Sequence, residues 1–131
     1  MKKIMYSIVL LSMIAIYSNN AFAQSTWKAP KEADKTVNPM KGDEKSVKKG
    51  KKIYVQMCVI CHGAKGKGDG VAGAALNPKP ANFTSKEVQA QSDGALFWKL
   101  TNGKAPMASY KELLTETQRW EVINYVRTLK K

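Results

Sequence analysis

The chain has 131 residues, with 22 Lys and Arg against 10 Asp and Glu and a formal net charge of +12 at pH 7. This length allows one small domain with a single core, and the charge favours acidic proteins or anionic lipid headgroups as partners. Two cysteines and one histidine are too few for a four-ligand Cys/His zinc site, and no nucleic-acid-binding motif is present.

Residues 1–23 have the pattern of a secretory signal peptide. A basic start at Lys2-Lys3 precedes an apolar stretch that reaches Ile16, and Ala-Phe-Ala at residues 21–23 fits a cleavage site. Polar residues follow Ile16, so the apolar stretch is short for a membrane span. We expect cleavage before Gln24 and a periplasmic or otherwise exported protein. The alternative is an uncleaved membrane anchor.

Residues 24–45 are expected to form a flexible leader segment ahead of the domain. They contain Pro30, Pro39 and many charges, and their few apolar residues follow no period. Trp27 and Met40 are exceptions that could dock onto the domain surface.

The domain is expected to span residues 46–131 and to begin with a helix from Ser46 or Val47 to about Cys61, with Ser46 as its N-cap. One helical stripe in this segment consists of Gly50, Ile53, Tyr54, Met57, Cys58 and Cys61. A glycine within such a stripe weakens the helix unless another backbone approaches there. Gly50 therefore predicts a helix crossing.

Cys58, Cys61 and His62 form a C-x-x-C-H sequence, which is the attachment site of a c-type haem. The thiols lie on one face of a helical turn and can form thioether bonds to the haem, and the imidazole can serve as an axial iron ligand. A dithiol redox motif would need a βαβ pattern, which is absent. A disulfide closing so small a loop would add little stability.

Two further helices follow a Gly- and Pro-rich loop at residues 63–91, which has no strand pattern. One is predicted from Ser92 or Asp93 to Asn102, with Gly103 as its stop. The last begins at Thr115, where Gln118 completes a capping box. Its apolar face makes it the expected partner of the first helix.

Met107 is the expected sixth iron ligand. It follows a helix-ending glycine and Pro106, and a thioether opposite an imidazole suits electron transfer. Met40, in the leader, is the rival donor. If Met107 were not bound, an open iron could serve an enzyme or gas sensor, but a second histidine that could act as a distal base is absent from the sequence.

These motifs together resemble a class I monohaem cytochrome c of the bacterial, exported kind, over about residues 47–129. The resemblance implies an all-α cytochrome c fold around one covalent haem c, with the N- and C-terminal helices crossing near Gly50 and Tyr125. It also implies that a proline carbonyl, of Pro78 or Pro80, accepts a hydrogen bond from the axial histidine.

The expected function is electron transfer and not enzymatic catalysis: a one-electron carrier with His62 and Met107 as axial ligands, in a bacterial respiratory or related chain. Its partners would be redox proteins with acidic docking surfaces, steered by Lys65, Lys67 and Lys104. The main alternative is a cytochrome c subunit fixed in a larger membrane oxidoreductase complex, with which the carrier could also associate peripherally.

Overall fold

The computed structural model describes residues 27–131, and this part of the chain consists of helices and loops without a named β-strand. Its α-helices are α1 (Glu44–Met57), α2 (Val59–His62), α3 (Lys86–Gln89), α4 (Asp93–Asn102) and α5 (Glu116–Thr128). Short 3-10 helices lie at Lys31–Lys35 and Gly73–Ala75. The predicted all-α fold is confirmed. The signal-peptide prediction lies outside the described residues.

Helices α1 and α5 cross at Gly50, as the sequence predicted. A Cβ atom added to Gly50 would lie 1.8 Å from the carbonyl oxygen of Glu121, so the two backbones touch at this point. Tyr54 and Tyr125 pack one turn further along, with ring centroids 5.0 Å apart. The backbone contact therefore involves Glu121, while Tyr125 contributes its side chain to the neighbouring layer.

The start of α1 differs from the prediction. Asp43 is the N-cap, and its carboxylate accepts a hydrogen bond from the amide of Lys45. Ser46 instead lies inside the helix and is buried, where its hydroxyl accepts a hydrogen bond from Asn124 Nδ2 at 2.7 Å. The helix also ends earlier than expected, at Met57, and α2 is a separate turn beyond Cys58.

The described part of the expected flexible leader packs against the domain. The Asn38 side chain is buried and donates hydrogen bonds to Asn124 Oδ1 (2.7 Å) and Asp93 Oδ2 (3.0 Å). The Met40 carbonyl accepts from Asn124 Nδ2 at 2.7 Å. Trp27 lies beside Trp98, with ring centroids 6.4 Å apart. Side-chain hydrogen bonds thus tie this segment to both α4 and α5.

The predicted bounds of the last two long helices are confirmed. Ser92 caps α4, and Gly103 ends it. Thr115 and Gln118 form the capping box of α5. Residues 63–91 were predicted as loop throughout, but this segment contains the 3-10 helix Gly73–Ala75 and the short helix α3. Within residues 27–131, no helix is both long and apolar enough to cross a membrane.

Candidate haem-binding site

The two cysteines lie at the junction between α1 and α2. Cys58 joins the helices and is buried, whereas Cys61 lies within α2 and is half-buried. Both are free thiols. Burial, with a smaller contribution from Cys61, raises the pKa of Cys58 to about 11. Cys58 is therefore a protonated thiol at neutral pH, and the turn presents two sulfur atoms that are not joined in a disulfide.

The glycine-rich loop wraps around this turn. Its amides at Gly68, Gly70 and Ala72 donate to the carbonyls of His62, Cys61 and Ile60, at 2.9, 3.1 and 2.9 Å respectively. These carbonyls at the end of a four-residue helix would otherwise need water. A Cβ on Gly70 would lie 2.5 Å from the Ile60 carbonyl oxygen, so only glycine permits this approach. The loop thus clamps the backbone that carries the three motif side chains.

His62 is buried at the end of α2, and its Nδ1 lies 3.1 Å from the carbonyl oxygen of Ala81. The predicted proline acceptor is wrong in detail, because the acceptor is the residue after Pro80. Burial lowers the pKa of His62, although the bond to Ala81 acts in the opposite direction. His62 is therefore neutral at pH 7. With its Nδ1 proton directed at this carbonyl, the lone pair is on Nε2, the state that binds a metal.

Phe83 packs on the face of the same imidazole. The two ring centroids are 4.3 Å apart and the planes differ by 17°. Sequence analysis missed both Ala81 and Phe83, because they lie about twenty residues after the motif in a loop without periodicity. The two proline candidates, Pro78 and Pro80, lie in the correct loop, but nothing in the sequence indicated which group of that loop contacts His62.

Met107 lies in the loop after α4 and is half-buried against the core. Its backbone pairs with Lys104, at 2.9 and 3.0 Å for the two hydrogen bonds. Tyr110, three residues on, donates its hydroxyl to the carbonyl of Met57 at 3.2 Å. That bond ties the Met107 loop to the end of α1 that carries Cys58.

Met40, the rival donor, lies at the other end of α1. Asn124 Nδ2 donates both to the Met40 carbonyl and to Ser46 Oγ in the first turn of the helix. Twelve residues of helix separate Ser46 from Cys58, which is roughly 18 Å at 1.5 Å per residue. The backbone of Met40 is therefore held away from the cysteines, at the opposite end of α1.

A surface groove runs beside the C-x-x-C-H turn. Two large aliphatic side chains are exposed there, Ile60 at 55% and Val71 at 80% of their full accessible area. Lys65 and Lys67 also line the groove and are exposed, as is Lys104 near Met107. Exposed apolar side chains bordered by lysines are typical of a protein-docking surface.

The donor set fits a haem and does not fit a metal ion held by protein ligands alone. Among residues 27–131, no three His, Cys, Asp or Glu side chains are grouped to hold one metal ion. The described residues instead supply two free thiols on one turn, a neutral buried imidazole and a thioether. These are the kinds of group that form thioether bonds to a haem and ligate its iron.

Comparison with known proteins agrees with this chemistry. Residues 45–126 match the model of a family described as cytochrome c oxidase, cbb3-type, subunit III. The chain belongs to this cytochrome c family. Membership implies a covalently bound c-type haem, and the matched range runs from the first turn of α1 almost to the end of α5. No curated protein matches this cytochrome.

The solved structures that are similar to this cytochrome include the following two. One is a chain of the Kuenenia stuttgartiensis reducing HAO-like protein complex Kustc0457/Kustc0458, with 29% identity over 71% of this chain and a TM-score of 0.64. This cytochrome spans about half of that chain, 47%. The other is the KustC0563 c-type cytochrome, with 30% identity, a TM-score of 0.54, and coverage of 63% of this chain and 98% of that one.

Proposed function

We propose that this cytochrome is an exported one-electron carrier with one haem c, bound through Cys58 and Cys61, with His62 and Met107 as axial ligands. The observation that carries the proposal is the placement of His62. It is buried and hydrogen-bonded through Nδ1 to a backbone carbonyl at the end of a C-x-x-C-H turn. The Tyr110–Met57 bond, which brings the Met107 loop to the same end of α1, supports the second ligand.

The haem, when bound, supplies an iron that changes by one electron. The chain's own hydrogen bonds would hold the donors in both oxidation states: those from the glycine-rich loop hold the backbone of α2, and the Tyr110–Met57 bond holds the Met107 loop. Buried residues of α4 and α5, with Tyr54 of α1, form the apolar core that would exclude water from the site. Ligation held in this way would keep the change in geometry on electron transfer small.

The groove beside Cys61 is the proposed docking surface. Ile60 and Val71 would contact an apolar centre on the partner, and Lys65 and Lys67 would attract acidic residues around it. Because these lysines are exposed, their main effect would be on the rate of association and would weaken with salt.

A second function is favoured by two comparisons: a cytochrome subunit fixed in a larger oxidoreductase complex. The matching family is described as an oxidase subunit, and one similar structure is a chain of a protein complex. The proposed carrier and the fixed subunit share the haem site and differ in how the partner is held.

The ligand assignment is tested by comparing Met107→Ala with Met40→Ala in the oxidised holoprotein. Met107→Ala should lose the weak far-red absorption band of an iron–thioether bond, lower the reduction potential and allow exogenous ligands to bind. Met40→Ala is the matched control and should retain the band. The reverse result would show that Met40 is the ligand.

The carrier and the subunit are distinguished by salt dependence. For a carrier, electron transfer to the natural acceptor should slow as salt rises, and Lys65→Glu with Lys67→Glu should slow association while the visible spectrum stays the same. Lys45→Glu with Lys48→Glu is the matched charge control, because both lysines are exposed in the first turns of α1, at the end opposite Cys58. A rate insensitive to salt, with purification in fixed stoichiometry with membrane proteins, would establish the subunit instead.

A further inference from the structure

We propose that Phe83 is a positioning residue that sets the plane of the His62 imidazole, and hence the rotational orientation in which His62 meets the iron. This inference rests on the proposed function, in which His62 is an axial ligand. It assigns to Phe83 a role that the C-x-x-C-H motif does not contain.

A hydrogen bond alone leaves the ring partly free. The bond from Nδ1 to the Ala81 carbonyl fixes one atom of the imidazole at 3.1 Å. The torsion about the Cβ–Cγ bond of histidine has a broad minimum. The ring can therefore still turn about this bond while the hydrogen bond to Ala81 bends but persists. The stacked ring of Phe83, with 4.3 Å between centroids and 17° between planes, restricts this remaining rotation.

Phe83 can serve as a reference plane because its own backbone is tied down on both sides. Its amide donates to the Gly66 carbonyl at 2.6 Å, within the loop that clamps α2. The Phe83 carbonyl accepts a hydrogen bond from Gln89 Nε2 at 2.6 Å, and Gln89 Nε2 also donates to the Val126 carbonyl at 3.0 Å. These bonds connect Phe83 to the clamp loop, to α3 and to α5.

The side chain of Phe83 is half-buried and packs against neighbouring residues. Tyr54 meets it edge-on, with 6.2 Å between centroids and 64° between planes. Gly66 has a positive φ of 69°, and a Cβ there would lie 3.3 Å from the Cβ of Phe83 and 2.6 Å from Leu129 Cδ1. Gly66 thus provides the space in which the Phe83 ring can lie parallel to the imidazole.

The orientation of the imidazole matters because its π orbital is perpendicular to the ring plane. In the proposed holoprotein, turning the ring about a bond from Nε2 to the iron would change the overlap of this π orbital with the iron orbitals. The paramagnetic shifts of the four haem methyl groups in the oxidised protein would follow that overlap, together with the orientation of the second axial ligand. Because the variants below leave Met107 unchanged, a difference between their shifts would report on the imidazole, without a partner protein or turnover.

The test compares full-length holoproteins by NMR. Phe83→Leu keeps an apolar side chain of similar size but removes the stacked ring. We expect a changed order or spread of the haem-methyl shifts, and exchange of the His62 Nδ1 proton in the reduced state that is roughly two- to tenfold faster. Phe83→Tyr keeps the ring and should resemble the wild type.

Phe97→Leu is the matched control for lost aromatic packing. Phe97 is also half-buried and stacked, but on Trp120, with 3.9 Å between centroids. This variant should lower stability while leaving the methyl shift pattern and the proton exchange near their wild-type values. An equal change in Phe97→Leu and Phe83→Leu would overturn the inference, because the effect would then be general loosening.

Gln89→Ala provides a second variant if Phe83→Leu yields no holoprotein. It removes the bonds to the Phe83 and Val126 carbonyls and leaves both rings in place, so we expect a smaller change in the same direction. If the variant that is obtained shows wild-type haem-methyl shifts and wild-type exchange of the His62 Nδ1 proton, the proposed role of Phe83 is overturned, while the proposed function stands. Absence of His62 ligation in the wild type would overturn the proposed function and this inference together.

Discussion

Replacing Gly50 with alanine should destabilise the fold, because the added Cβ would lie 1.8 Å from the Glu121 carbonyl oxygen and 3.0 Å from the Val122 amide nitrogen. Ordinary contacts of a Cβ begin at 3.4 Å, so α1 and α5 would have to separate by more than an ångström at their crossing. Neither close neighbour is a side chain that could move aside.

The size of the effect follows from two opposing terms. Overpacking of this kind costs about 1–3 kcal/mol, and a clash with backbone belongs at the upper end. Alanine returns about 1 kcal/mol of helix propensity relative to glycine. We expect a net loss of about 2 kcal/mol, which lowers the melting temperature by roughly 10 °C for a domain of this size. Gly50→Leu should lose more.

Thermal unfolding of the holoprotein, followed by far-UV circular dichroism, measures this loss. Lys51→Ala is the matched control, since Lys51 is exposed on the same helix and should change stability by less than about 0.5 kcal/mol. If Gly50→Ala melted at the temperature of the wild type or above it, the two backbones could not touch at Gly50 and the crossing described above would be wrong.

Two further predictions concern the polar contacts that join the leader to α4 and α5. Burial alone would raise the pKa of Asp93, but hydrogen bonds from Asn38 and Arg127 and the charge of Arg127 outweigh it and lower that pKa. The stability contributed by the Asp93 carboxylate is therefore present above its unfolded pKa of about 3.9 and is lost as pH falls through the lower folded pKa. The difference in melting temperature between the wild type and Asp93→Asn should shrink from pH 7 to pH 3. A constant difference would contradict this prediction. Asn124→Ala should cost about 2 kcal/mol or more, because it leaves buried polar partners unpaired, and amide exchange in residues 38–40 should accelerate, whereas Asn102→Ala on the surface should change neither.

Local sequence signals predicted the parts of the fold that local chemistry controls. The capping box at Thr115 and the stop at Gly103 depend on residues within four positions of each other, and both were found where expected. Gly50 was informative because a glycine in an apolar stripe is costly unless a backbone approaches it. The C-x-x-C-H motif likewise indicated its own chemistry.

The features that sequence analysis missed depend on contacts between distant residues. Ser46 was taken for an N-cap because a serine before a helical stripe usually is one, yet its hydroxyl bonds Asn124, 78 positions away. The burial of Asn38 depends on the same distant residue, 86 positions along the chain. Whether the carbonyl of Ala81 or of a neighbouring proline accepts the hydrogen bond from His62 depends on the path of the loop between them, since Ala81 lies 19 residues after His62. Periodicity carries no signal for such pairs.

The mass of the intact protein, purified from the cell envelope of its host, tests the central claim most directly. One covalent haem c at Cys58 and Cys61 predicts the mass of the chain from Gln24 plus one haem, and Cys58→Ala with Cys61→Ala should lose that addition. The mass of the bare chain, with or without a disulfide between the two cysteines, would contradict the account.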